Sequence, residues 1–142
     1  SKLKSSDVYK SFEFDGIKLN PIIWEVGHLA VSQNWLILYL GHGQPEFIPW
    51  AKEFALGSRP SQTQSDYPPY LEIWETFKRV HAKSISYVNA LSDEVLTQAP
   101  KKEIPFIKEN NIKHLFMHSI RHEGINAGHL SWHCKLFGLK TI

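Results

Sequence analysis

The most constraining stretch of this chain lies near its C-terminus. Between Asn110-Asn111 and Gly138 the residues Ile112, Leu115, Ser119, His122, Asn126, His129, His133 and Leu136 recur in steps that alternate between three and four. That spacing is the seam of an amphipathic helix, and its residues must face a core or a partner. The two ends of the seam are apolar and its middle is polar. A buried polar group without a partner costs about 1–3 kcal/mol, so four in succession need one another, water, a ligand or a metal ion. A fold that accepts this helix must therefore supply polar partners in its interior.

Two further long helices are predicted. The first begins near Asn20-Pro21, with Asn20 as N-cap and proline in the first turn, and runs to Leu40 before Gly41-His42-Gly43. Trp24, His28, Val31 and Trp35 share one of its faces. The second runs from Pro69 to Leu91 with a stripe of Tyr70, Ile73, Trp74, Phe77, Ile85, Val88 and Leu91, interrupted by His81. Residues 1–19 lack an apolar period and are expected to form an irregular lead-in. Glu46 to Leu56 is expected to form a short helix ended by Gly57, and Ser92-Asp93-Glu94 to cap one short turn. Prolines break the loops at Arg59–Pro69 and Pro100–Pro105. No strand signal emerges. The expected fold is an all-α, up-down helical bundle spanning 20–138 as one domain, with one face left for a short helix, the lead-in or a partner subunit to close.

Composition narrows the function classes. The 142 residues are 42% apolar and 21% charged, which suits one globular domain. A formal charge of +2 without a basic stripe gives nucleic-acid binding no support. No apolar run is long enough for a membrane span, and the N-terminal residues lack a signal-peptide core. The single cysteine, Cys134, excludes an intrachain disulfide and favours a reducing cytoplasm.

Eight histidines make metal chemistry a candidate. His122 and His129 lie on one side of the last helix, but seven residues rise about 10.5 Å, so they would have to lean together to share an ion. His122 pairs more easily with position 126, where Asn126 offers only a weak amide oxygen. His118 and His122 form another pair four residues apart. His28 is the best-placed third ligand from another helix. A hydrogen-bonded polar core or pocket accounts for the same pattern, and both readings stand on spacing alone. His81 reads as a core histidine bonded to a neighbour, and His42 and His114 as surface residues. Glu123 follows His122 as in the zinc-protease helix, but the second histidine of that motif is missing and Glu123 lies off the seam. Cys134 reads as a packed thiol. Trp24, Trp35, Trp74 and Trp132 read as core rings, some of which could border a pocket.

Two stretches carry a family resemblance. NPIIWEVGHLAVSQNW resembles the N-x-x-x-W-x-x-G-H-L signature of DinB-like proteins, and RHEGINAGHLSW resembles the H-E-x-x-H-x-G-Q-[LI] signature of their last helix. The likeness covers roughly residues 15–138. It implies a four-helix bundle, a three-histidine site for zinc or nickel, frequent homodimers, and small-molecule chemistry related to thiol transferases and isomerases. Position by position, His28 and His122 match the first two ligands. Asn126 stands where the third histidine is usual, and His129 stands where the family has glutamine. Either His129 replaces the missing ligand or the site has degenerated. The family's usual long helix before the first motif has no counterpart in residues 1–19.

Two functions are therefore expected. One is a metal-dependent transferase or hydrolase acting on a small molecule, with His28 and His122 as ligands and His129 or Asn126 completing the set. The other is a non-catalytic, dimeric binding or stress-associated bundle whose polar seam holds water or a small ligand.

Overall fold

A computed structural model describes residues 3–141. The chain is an all-α bundle with one small hairpin. Helix α1 spans Ile22–Gln33, α2 Tyr70–Asn89, α3 Asp93–Leu96 and α4 Ile112–Leu136. Helix α1 packs against both α2 and α4, so it forms the middle of the bundle. Every residue from Ile22 to Ala30 is buried, which means α1 is covered on all sides rather than along a stripe. A polar side chain anywhere on this segment must find its partner inside the protein, and Glu25 and His28 both lie there.

Helix α1 does not stop at Gln33. It widens into a π-helical turn over Asn34–Tyr39, closed by the Leu40 amide donating to the Trp35 carbonyl five residues back (2.8 Å). Asn34 leaves the turn to pair with the Glu46 backbone, accepting from its amide (2.8 Å) and donating to its carbonyl (2.9 Å). This double bond ties α1 to the following loop. Gly27 is required in the middle of α1 because the Phe54 ring lies against it: a Cβ there would sit 2.3 Å from the Phe54 ring.

The lead-in is not irregular. Asp7–Tyr9 forms a 3₁₀ turn, and β1 (Glu13–Phe14) pairs antiparallel with β2 (Ile17–Lys18). Its first two residues lie outside the described range. Asp15 (φ 49°) and Gly16 (φ 79°) make the turn, both left-handed as a two-residue hairpin of this kind demands. The Asp-Gly signal was in the sequence, but the strands are only two residues long and exposed, too short to show alternation. Val8 of the 3₁₀ turn joins the main core.

Other boundaries shift for local reasons. Asn20 does not cap α1; Pro21 occupies that position, and the Asn20 amide donates to Glu25 Oε1 (3.0 Å). The expected helix over Glu46–Leu56 shrinks to a 3₁₀ turn at Ala51–Phe54, because Pro49 interrupts it. Helix α2 is rotated relative to its expected stripe. It buries Ile73, Thr76, Val80 and Ser84, while Ile85 and Val88 face outward. The expectation followed the large apolar residues, whereas the contact line runs through small ones. Helix α4 begins as expected, with the Asn111 side chain accepting from the His114 amide (2.9 Å). No helix among the described residues is long and apolar enough to cross a membrane.

Candidate functional site

Antiparallel packing of α1 on α4 brings His28 to His122, 94 residues apart in sequence. Their Nε2 atoms lie 3.0 Å from each other. His28 is buried, and Trp24 stacks on it with ring centres 4.7 Å apart and planes 10° from parallel. Trp24 is itself fixed by donating its indole N–H to the Glu53 carbonyl (3.2 Å). The His28 Nδ1 lies 2.7 Å from the Phe54 carbonyl. A carbonyl only accepts, so Nδ1 carries a proton and donates it, and Nε2 is the ring atom turned toward His122. The 3₁₀ turn at Ala51–Phe54 thus sets the tautomer of His28 as well as its orientation.

His122 completes the pair from α4. Burial pushes its imidazole down to about 4, with His28, His118 and His129 adding to the effect. The ring is neutral at pH 7 and donates from Nε2 to His28. His118, one turn earlier, is likewise held below the usual histidine range, first by burial and then by Arg121. Asn126 is buried beside His122, where its amide nitrogen donates to the His122 carbonyl (2.8 Å). Among the described residues, no three His, Cys, Asp or Glu side chains converge as a metal ion would require.

The pair opens on a cavity of about 670 Å³; its walls include Trp35, Tyr39, Leu56, Phe106 and His118. Trp24 is core as expected and Trp35 borders this pocket, half-exposed, while Trp132 stands exposed on the far part of α4. A family model of the DinB superfamily matches residues 8–130. The chain belongs to the DinB superfamily. No curated protein and no solved structure matches it. The superfamily match includes His28 and His122, the two histidines that meet here.

The remaining seam residues go elsewhere. His129 lies in a second cavity, its Nδ1 3.4 Å from Glu25 Oε1. His133 is buried in the same cavity. Sequence reasoning passed over Glu25, although a carboxylate three residues before His28 in an apolar helix was a legible signal. It also passed over a polar bridge across the bundle. Buried Gln33 of α1 donates to Glu123 of α4 and lies 3.3 Å, through its amide oxygen, from His81 Nδ1 of α2. Glu123 is therefore a tie between helices, which explains why it could be off the seam and still half-buried.

Proposed function

We propose that this DinB superfamily member is a metal-dependent enzyme of the small-molecule transferase or hydrolase type, with zinc or nickel held by His28 and His122. One observation carries the reading: the Nε2 atoms of His28 and His122 face each other at 3.0 Å, and the His28 Nδ1–H is anchored on the Phe54 carbonyl. Ligands about 2.0–2.1 Å from a tetrahedral ion lie about 3.3 Å apart, close to this separation. A ring nitrogen fixed by a backbone carbonyl is the usual support for a metal-ligating histidine. The pair supplies two protein ligands, and Asn126, buried beside His122, would complete the set after turning its amide, whereas His129 lies in the other cavity beside Glu25. When bound, the ion would lower the pKa of a water or thiol held in the cavity. The protein's own part is to orient both imidazoles, to keep His122 neutral, and to offer a largely apolar pocket beside Trp35 and Phe106 that excludes water from a small substrate.

A second reading rests on a different observation. The Asn126 amide donates to the His122 carbonyl, and no third strong ligand converges on the pair. This favours a bundle that binds a small molecule without a resident ion. Elemental analysis of untagged protein grown with ample metal decides between them. Roughly one zinc or nickel per chain, lost in His28→Ala and His122→Ala, supports the enzyme reading. No ion after incubation with excess metal sinks it and leaves the binding bundle.

A homodimer is part of the same proposal. Ile120, at 68% exposure, together with Met117 and Ile125, gives α4 an outward apolar face that a second copy would cover. Sedimentation of wild type against Ile120→Asp tests it; a monomeric wild type removes this part.

A further inference from the structure

The cavity beside the His28–His122 pair carries an unused donor on one wall and apolar rings on the others. His118 borders it from α4, one turn before His122. The Arg121 guanidinium lies 3.0 Å from His118 Nδ1. A guanidinium only donates, so Nδ1 accepts and the ring proton sits on Nε2. That Nε2 has no protein partner among the described residues, and unlike the sealed atoms of Glu25 and His133 it stays open to solvent. The Phe106 ring rests against the His118 ring, with centres 4.8 Å apart and planes at 41°, and holds its orientation. An N–H donor is therefore presented at the cavity wall without an acceptor.

The charges around the cavity point the same way. Lys52 lines it, and among the described residues its ammonium joins no ion pair. No Asp or Glu stands among the described residues of its wall. The Arg121 charge behind His118 adds to the positive side. The second cavity differs, since Glu25 belongs to its wall. The remaining surface of the first cavity is apolar: Trp35 (38% exposed), Phe106 (50%) and Leu56 (77%) leave large side chains open at its mouth. We infer that this cavity takes a small molecule that joins a carboxylate to an apolar, ring-sized body. The His118 Nε2–H donates to a carboxylate oxygen, Lys52 supplies the opposite charge, and the body lies against Trp35 and Phe106. An ammonium would meet an N–H and two cations, so it is disfavoured. The inference names the substrate class of the site proposed above; it rests on that site being a small-molecule pocket and not on a bound ion.

The test uses the full chain with 3-phenylpropionate as probe, and 3-phenylpropionamide and 2-phenylethylammonium as its neutral and cationic counterparts, followed by calorimetry and by the indole N–H resonances. The acid is expected to bind saturably, to shift the Trp35 indole signal and to leave that of Trp132, beside the second cavity, in place. The amide and the ammonium should bind about tenfold more weakly, as loss of a charge-assisted bond requires. His118→Phe keeps a ring against Phe106 and removes the donor, and it should weaken the acid by about tenfold. Lys52→Met changes an exposed side chain and should weaken it by about threefold. Binding should persist in the presence of a chelator. The inference is overturned if the acid fails to bind, if the amide or the ammonium binds as tightly, or if His118→Phe and Lys52→Met both leave the affinity intact. Loss of acid binding on chelation, with both variants unaffected, would also overturn it, because the carboxylate would then sit on an ion; that outcome supports the enzyme reading. Selective acid binding by protein that takes up no metal supports this inference while the enzyme reading fails.

Discussion

The two polar places on the α1–α4 seam differ in how their atoms are satisfied. At His28–His122, the key ring nitrogens have partners: Phe54, His122, and Ser32 at 3.5 Å surround His28. At Glu25–His133, about one helical turn along α1, one buried atom on each side chain is left without a protein partner. The first place is a closed arrangement that holds its own geometry. The second leaves two buried polar atoms unpaired. The contrast shows that a polar stripe on a helix has no single meaning; its function depends on which atoms the neighbouring element happens to satisfy.

The largest expected effect bears on the closed place. Phe54 is fully buried, lies over Gly27 and lends its carbonyl to His28. Phe54→Ala should cost about 3–5 kcal/mol in denaturant unfolding and loosen the His28 ring. Retention of wild-type stability would mean that Phe54 does not organise this end. Next comes Gly27→Ala, which crowds the same ring and should cost about 1–3 kcal/mol, again by denaturant titration.

The third prediction compares the two places directly. His28→Leu strands the Phe54 carbonyl and the His122 ring, so it should destabilise by about 1–3 kcal/mol. The double variant Glu25→Leu/His133→Leu removes both incompletely partnered side chains together and should be near neutral or stabilising. Equal losses in the two variants would erase the distinction drawn here. The smallest effect is in pH. The His122 imidazole sits at about 4 in the fold against 6.5 for a free histidine. The unfolded chain therefore takes up this proton first on acidification. The stability that His122 contributes is complete above about 6.5 and is lost as pH falls toward 4. Thermal unfolding of metal-free protein should show a fall in that window that is shallower in His122→Gln.

Much of the architecture was legible because it rests on repetition. The three-four seam of α4, from Ile112 to His133, needs no neighbour to be recognised, and the Asn111 cap lies next to the helix it starts. The pairing of His28 with His122 was legible through the two motif stretches. By contrast, the α2 stripe was misplaced because Thr76 and Ser84 carry no hydrophobic signal, yet small side chains suit a close helix contact. The hairpin was missed because two exposed residues per strand leave no period to detect.

The sequence by itself determined the helices, the polar middle of α4 and the superfamily to which the chain belongs, since all three depend on spacing along one segment. Only the tertiary structure decided that His129 lies beside Glu25, that Gln33 joins His81 to Glu123, and that Glu25 and His133 each keep one buried atom without a protein partner. The physical reason is that a hydrogen bond is a relation between two groups. Periodicity shows which groups turn inward, but only packing brings a donor within reach of an acceptor.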